Sequence, residues 1–257
     1  MSKITDVFKN KKSFIPFITC GDPNLETTKK LIYTLEKAGA DIIELGIPFS
    51  DPTAEGVVIE SANTRALKNN ITTDNIFDMV QTLDVNVPLV FMTYANIIFS
   101  YGIEKFAHKC KEIGMSGIIL PDIPFEEKEE FSKSFEKYGI DFISLIAPTS
   151  HDRIKTIAQN ATGFIYLVSS MGVTGVRQNI ATDIDSMVSF VREVSDLPIA
   201  IGFGISTKEQ AENMAKKADG VIIGSAIVKI IEKYGEDSPE KVYEYVRDII
   251  SGIEHIN

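Results

Sequence analysis

Short apolar runs rich in β-branched residues recur along the chain, and stretches with apolar residues at helical spacing separate them. Most of these runs are apolar at nearly every position rather than alternating, which is typical of parallel strands buried on both faces. Eight parallel strands can close into a barrel. The predicted strands are residues 14–19, 41–46, 88–93, 117–121, 141–146, 163–168, 198–202 and 220–224.

The intervening stretches predict helices, so that a strand followed by a helix repeats along the chain. Gly39, Gly114 and Gly139 stand where left-handed caps are expected to end helices before the next strand. Ile4, Val7 and Phe8 have helical spacing and predict a short helix beneath the barrel. The other predicted helices are residues 25–38, 104–114, 126–139, 152–160, 183–194, 208–218, 226–234 and a final helix at 239–253.

These elements predict a (β/α)8 TIM barrel with an extra N-terminal helix and an additional C-terminal helix. No linker or low-complexity tract marks a boundary, so we expect residues 1–257 to form a single domain. A doubly wound open sheet is the alternative fold. It is disfavoured because no GxGxxG follows the first strand.

Composition narrows the function classes. The 257 residues include 44% apolar side chains and carry a formal charge of −10, with no basic stripe for nucleic acid or an anionic membrane surface. Cys20 and Cys110 have neither disulfide nor zinc-site spacing, and the three histidines show no metal-ligand spacing. No apolar run is long enough to span a membrane, so we expect a soluble protein. The cysteine spacing favours the reducing cytoplasm, and the histidine spacing predicts no metal site.

Glu44 is the most informative single residue, because it places a carboxylate inside an apolar predicted strand. A charge at such a position is costly unless it is paired or used. Glu44 is therefore either a member of an internal ion pair or an acid/base group with a tuned pKa. A loop rich in Pro, Gly and acidic residues follows it, which favours an active site.

The ends of the other predicted strands indicate phosphate binding. Gly204 follows strand seven, Gly224 and Ser225 follow strand eight, and Gly175 lies in the loop after strand six. Backbone N–H groups of such loops and a helix N-terminus form a phosphate cradle in many barrels. The alternative is that the glycines only make tight turns. No strand end carries a lysine, which disfavours a Schiff-base aldolase.

Seven runs of residues follow one another in a recognisable order along the whole chain. They are Pro16-Phe17-Ile18-Thr19-Cys20-Gly21-Asp22-Pro23, Glu44-Leu45-Gly46-Ile47-Pro48-Phe49-Ser50-Asp51-Pro52, Met92-Thr93-Tyr94-Ala95-Asn96, Pro121-Asp122-Ile123-Pro124, Gly172-Val173-Thr174-Gly175, Gly202-Phe203-Gly204-Ile205-Ser206 and Gly224-Ser225-Ala226-Ile227-Val228. Through these runs the chain resembles the tryptophan synthase α subunit family over its whole length.

The resemblance implies a carbon–carbon lyase of tryptophan biosynthesis that performs retro-aldol cleavage of indole-3-glycerol phosphate to indole and glyceraldehyde 3-phosphate. It implies no cofactor in this chain. Indole passes to a β subunit that carries pyridoxal phosphate, in an α2β2 heterotetramer. Two alternatives stay open at this point: a weakly catalytic regulatory subunit that chiefly activates the β subunit, and a free-standing lyase that releases indole.

The resemblance also implies a role for each site residue. Glu44 and Glu55 are the implied catalytic carboxylates, and Asp51 is the implied contact with the β subunit. Tyr166 and Thr174 are expected to reach Glu55 when loops close over the substrate. The implied substrate-binding residues are Phe17, Tyr94, Tyr166, Thr174, Gly175, Phe203, Gly204, Ile223, Gly224 and Ser225, among which Phe17, Phe203 and Ile223 are expected to wall the indole ring as well as pack the barrel.

Glu55 departs from the family pattern, in which an Asp nearly always stands between Ala and Gly. The added methylene changes the reach of the carboxylate by roughly 1.5 Å. Misplacement of about 1 Å can cost on the order of a hundredfold in rate. Val57 and Val58 replace a common Pro-containing pair, and Ser170 stands where some members have Arg. These substitutions are consistent with an active enzyme in which other changes compensate for the longer Glu55 side chain. They are also consistent with a lyase of reduced activity.

Overall fold

The fold is a closed barrel of eight parallel strands in the order β1 to β8, as the sequence predicts. A computed structural model describes residues 2–9, 11–168, 180–202 and 204–256. The single-domain prediction for residues 1–257 stays a prediction. The strands are β1 Ser13–Thr19, β2 Ile43–Gly46, β3 Leu89–Met92, β4 Gly117–Ile119, β5 Asp141–Ile146, β6 Ile165–Val168, β7 Ile199–Gly202 and β8 Gly220–Ile223.

The helices surround the barrel, and α12 packs against α2 and α10. They are α1 Lys3–Val7, α2 Leu25–Ala38, α3 Val57–Lys68, α4 Thr73–Gln81, α5 Ala95–Tyr101, α6 Ile103–Glu112, α7 Lys128–Lys137, α8 His151–Gln159, α9 Ile180–Val194, α10 Lys208–Ala215, α11 Ser225–Tyr234 and α12 Ser238–Ile253. None of the described helices is long and apolar enough to span a membrane.

Helices α3, α4 and α5 were not among the predicted elements. α4 begins with a capping box between Thr72 and Asn75, which is a local sequence signal. The N-cap residues of α3 and α5 are Gly56 and Tyr94, and neither residue makes a side-chain cap hydrogen bond. Those two helices therefore lack the polar start signal that marks a helix in a sequence.

Strand residues alternate between the barrel interior and the layer beneath the helices. The interior cluster includes Phe17, Val90, Met92, Tyr166 and Ile222. The strand residues that alternate with these, for example on the outer faces of β2 and β8, pack against the helices in a second and larger hydrophobic cluster. This alternation decides which side chain at each strand end faces the mouth of the barrel.

The N-terminal helix closes the bottom of the barrel, as predicted. Ile4 and Phe8 belong to the interior cluster. Gly117 and Gly220 leave room for them, because a Cβ at Gly117 would lie 2.8 Å from Ile4 Cδ1 and a Cβ at Gly220 would lie 2.9 Å from Phe8 Cε1. With the bottom filled, the mouth at the carboxyl ends of the strands is the open end.

Candidate active site

A cavity of about 820 Å³ opens at the carboxyl ends of the strands. Its volume is in the range of small-molecule sites. The part inside the barrel mouth combines apolar walls with two carboxyl groups and a rim of glycine and serine. These residues include Phe17, Glu44, Glu55, Met92, Ile143, Tyr166, Gly204, Ser206, Ile222, Gly224, Ser225 and Lys229.

Glu44 lies on β2 with its side chain in the barrel interior, directly beside Phe17 of β1 in the strand register. Only 1% of the residue is exposed, and neither Oε atom has a hydrogen-bond partner among the described residues. Burial raises the pKa of Glu44 to about 8, and the nearby charge of Glu55 adds to the increase. Because Glu44 forms no ion pair with the described residues, the interpretation as an acid/base group is favoured over that of an internal ion pair.

Glu55 lies in the loop between β2 and α3, which we call loop two (residues 47–56). Its Oε2 accepts a hydrogen bond of 2.8 Å from Asn63 Nδ2, and Asn63 is buried on α3. Burial raises the pKa of Glu55 to about 7, although the Asn63 hydrogen bond opposes the increase. The cavity therefore contains two carboxyl groups that exchange protons near neutral pH.

Tyr94, predicted to bind substrate, is not among the residues that line the cavity. Its hydroxyl accepts a hydrogen bond of 3.2 Å from the backbone N–H of Ala54, and its ring stacks on Phe49 with 5.1 Å between centroids. Both contacts are with loop two. Tyr94 therefore holds the loop that carries Glu55.

Tyr166 projects from β6 across the barrel mouth, where it lines the cavity. Gly202 makes room for the ring, because a Cβ there would lie 2.5 Å from the Tyr166 hydroxyl oxygen. Burial raises the pKa of Tyr166 well above its usual value, and the charge of Glu44 contributes. The structure thus places Tyr166 near Glu44, and its predicted contact with Glu55 stays a prediction.

Three of the residues predicted to form a phosphate cradle lie at the rim formed by β7 and β8. Gly204, Gly224 and Ser225 all line the cavity, and α11 begins at Ser225. Gly204 has φ +77°, and no heavy atom lies within 4 Å of the position a Cβ would take. The backbone can therefore be approached closely there. Lys229, one turn into α11, also lines the cavity but was not predicted.

Ile223, predicted to wall the indole ring, faces away from the cavity. It packs in the cluster beneath the helices, whereas Ile222 belongs to the interior cluster and lines the cavity. Successive residues of a strand point to opposite faces, so Ile222 and Gly224 share the inner face. Counting back two residues from Gly224 in the sequence would therefore have identified Ile222 as the residue that faces the cavity.

The remaining predicted residues divide into three groups. Phe17 lines the cavity as expected. Asp51 is exposed in loop two, where its Oδ2 accepts a hydrogen bond of 2.5 Å from Ser50. Thr174, Gly175 and Phe203, together with Ser170, lie outside the described residues.

Several lining residues were not predicted. Met92 and Leu120 line the cavity near the ends of β3 and β4, and Lys128 reaches it from α7. Searching only strand ends for lysine could not find one that comes from a helix. Within the described ranges, no group of three or more His, Cys, Asp and Glu side chains could hold a metal ion.

Comparisons with known proteins agree on one family. The model of the tryptophan synthase alpha chain family matches residues 4–253. The tryptophan synthase alpha chain of Lacticaseibacillus casei is 49% identical over 251 residues, which cover 97% of this chain and 94% of that protein. The crystal structure of tryptophan synthase subunit alpha from Legionella pneumophila has a TM-score of 0.90 at 36% identity and covers 100% of both chains. The tryptophan synthase complex from Pyrococcus furiosus has a TM-score of 0.85 at 34% identity and covers 94% of this chain and 99% of that one.

Proposed function

This chain belongs to the tryptophan synthase alpha chain family, and we propose that Glu44 and Glu55 carry its lyase reaction. That reaction is the retro-aldol cleavage of indole-3-glycerol phosphate to indole and glyceraldehyde 3-phosphate. The observation that supports the two roles is that buried Glu44 and half-buried Glu55 line one cavity, each with a pKa raised to near neutrality. Indole release from indole-3-glycerol phosphate, measured with and without a β subunit, tests the function directly.

Glu44 performs the proton transfers at carbon and oxygen. Its high pKa keeps it protonated near neutral pH, so it donates a proton to C3 of the indole ring and generates an indolenine cation. The resulting carboxylate then accepts the proton of the C3′ hydroxyl. As that proton leaves, the C3–C3′ bond breaks, its electron pair returns to the ring, and the aldehyde forms.

Glu55 stabilises the nitrogen end of the same intermediate. When the ring is protonated at C3, positive charge develops at N1, and a carboxylate that accepts the N1 hydrogen bond lowers the energy of this state. Asn63 orients the carboxylate of Glu55 through the 2.8 Å hydrogen bond. The longer Glu side chain therefore has a fixed partner in this chain.

The substrate phosphate is held by backbone N–H groups at Gly204, Gly224 and Ser225, with Lys229 close to the same rim. A chain with a net charge of −10 needs such a local site to bind an anion. The N-terminus of α11 adds partial positive charge at this position. The phosphate end thus lies at β7 and β8, which β1 separates from β2 and loop two in the strand order of the barrel.

Gly204→Val should raise KM for indole-3-glycerol phosphate by about tenfold or more, because the side chain occupies the open approach to the cradle. Competition by glycerol phosphate should weaken in parallel. Gly235→Val is the matched control, since Gly235 also has positive φ and open space around its Cβ position but does not line the cavity. Equal KM values for the two variants would contradict the cradle assignment.

The β subunit is the protein partner, and in this family it carries the pyridoxal phosphate, so the alpha chain needs no cofactor of its own. The Pyrococcus furiosus relative was solved as a tryptophan synthase complex. We place the contact at Asp51 in loop two, and the exposed apolar side chains of Val57 at the start of α3 and Phe99 on α5, which are 69% and 64% exposed, are further candidates for it. An α2β2 assembly in the cytoplasm stays a prediction.

Asp51→Ala should reduce the activation of this chain by the β subunit about fivefold or more, because loop two carries both the contact residue and Glu55. The quantity to measure is the ratio of the stimulated to the basal lyase rate. Asp84→Ala, an exposed change before β3 at the opposite end of the barrel, is the control. If the β subunit neither binds this chain nor changes its rate, the free-standing lyase is the better description.

One observation favours a second function. Glu55 replaces the Asp that the family nearly always has, and such a change is consistent with a weakly catalytic subunit that chiefly activates its partner. The Asn63 hydrogen bond to Glu55 supports the active enzyme instead. The Glu55→Asp variant separates the two functions.

A further inference from the structure

The cavity extends beyond the barrel mouth into a side lobe, which we define by Leu120, Lys128, Phe142, Ser144 and Ile157. Strand alternation shows where the lobe lies. Neighbouring residues of β5 face the barrel interior, whereas Phe142 packs in the cluster beneath the helices and Ser144 shares its face. The side lobe therefore lies outside the barrel wall, between β5 and helices α7 and α8.

Lys128 dominates the chemistry of the side lobe. It is the first residue of α7, and only 9% of it is exposed. Its Nζ donates hydrogen bonds to the backbone oxygen of Asn160 at 2.8 Å and to Ser144 Oγ at 3.2 Å. The ammonium also lies 5.4 Å from the centre of the Phe142 ring. The amine is thus oriented, and it borders an unfilled space.

The charge of Lys128 has no anionic partner in the described chain. No described carboxylate lies within 4.0 Å of Nζ, and Arg153, the other cation of this region, is paired with Glu126. Asn160 caps the C-terminus of α8, which supplies only partial negative charge. A cation in the first turn of α7 also opposes that helix dipole. Burial lowers the pKa of Lys128, and the charge of Glu136, which forms no ion pair with it, opposes the decrease only in part.

The proposed lyase chemistry makes no use of this lysine. Glu44, Glu55 and the phosphate rim all face the barrel mouth, and indole-3-glycerol phosphate has one anionic group, which the rim accommodates. An unpaired buried cation costs free energy unless an anion joins it. The lobe is therefore arranged for a different anion.

We propose that the side lobe binds a small aromatic carboxylate, with its ring between Phe142 and Ile157 and its carboxylate on Lys128 and Ser144. The walls favour an aromatic body, because Leu120, Phe142 and Ile157 are apolar. One amine and one hydroxyl match a monoanion. A phosphate dianion would need more donors than the lobe offers.

Titration calorimetry with benzoate and benzamide tests the proposal, since the two probes have the same shape and differ in charge. Glycerol phosphate is present throughout at a saturating concentration to fill the rim of β7 and β8. We expect benzoate to bind the wild type about tenfold or more tightly than benzamide. Lys128→Met, which keeps the apolar stem, should abolish that preference.

Lys133→Met is the matched control, because Lys133 lies on the same helix but is exposed and pairs with Glu129. It should keep the preference for benzoate. A crystal of the benzoate complex should show the carboxylate within hydrogen-bond distance of Lys128 Nζ. Equal affinity for the two probes, an unchanged preference in Lys128→Met, or benzoate seated at the β7 and β8 rim would each overturn the proposal. Direct binding is measured, so failure here is distinguishable from failure of the lyase.

Discussion

Glu44→Gln is expected to lower kcat for cleavage of indole-3-glycerol phosphate by about 10²- to 10⁴-fold, the range for loss of a general acid and base. The amide keeps the size of the side chain but cannot donate and then accept a proton at C3 and at the C3′ hydroxyl. KM should change little, because only the transition state loses an interaction. Single-turnover cleavage rates with the β subunit present measure the effect.

The stability of the same variant distinguishes the loss of an acid/base group from a fold defect. The pKa of Glu44 rises from 4.5 to about 8 on folding, so the folded state binds more protons than the unfolded state between these values. The free energy of unfolding of the wild type therefore falls as pH increases through this window. Glu44→Gln removes the titration and should be more stable at pH 8 by on the order of 1–3 kcal/mol.

Thermal unfolding at two pH values checks whether the variant is more stable than the wild type. Near pH 4 the two proteins should melt at similar temperatures, because Glu44 is then mostly protonated in the unfolded state and fully protonated in the folded state. At pH 8 the variant should melt higher, by about 2–4 °C for each kcal/mol. A variant that is inactive and also less stable at pH 8 would contradict the assignment of Glu44 as a buried carboxyl group with a raised pKa.

Glu55→Asp is expected to lower kcat/KM by roughly ten- to a hundredfold, although Asp is the usual family residue. Shortening the side chain by one methylene withdraws the carboxylate by roughly 1.5 Å from Asn63, which now holds it at 2.8 Å. Val58, the second residue of α3, packs against the interior cluster next to loop two. Single-turnover rates with the β subunit present measure the outcome.

The opposite result identifies the regulatory subunit. If Glu55→Asp raises kcat tenfold or more, about 1.4 kcal/mol of transition-state stabilisation is recovered and the natural chain is a weakened lyase. A loss of activity removes the regulatory description. Asn63→Ala serves as the companion variant: it should reduce the wild-type rate and leave the rate of Glu55→Asp nearly unchanged, because that variant no longer makes the hydrogen bond.

Local patterns were sufficient for the parts of the fold that depend on neighbouring residues. Apolar runs and helical spacing predicted the eight strands and most helices, and α2 Leu25–Ala38 has the predicted bounds. Gly39, Gly114 and Gly139 have positive φ, as predicted for caps. Glu44 was identifiable because a charged residue within an apolar strand is costly wherever that strand packs.

Tertiary structure decided the features that depend on which distant residues meet. It placed Ile222 rather than Ile223 in the cavity, assigned Tyr94 to loop two, paired Asn63 with Glu55, and brought Lys128 from α7 to β5. Each of these contacts joins residues on different elements, or depends on which face of a strand looks inward. The sequence by itself determined the barrel and marked Glu44 as a carboxyl group within a buried strand, because both follow from local spacing and burial cost. The partners of each side chain followed only from the packing of the closed barrel.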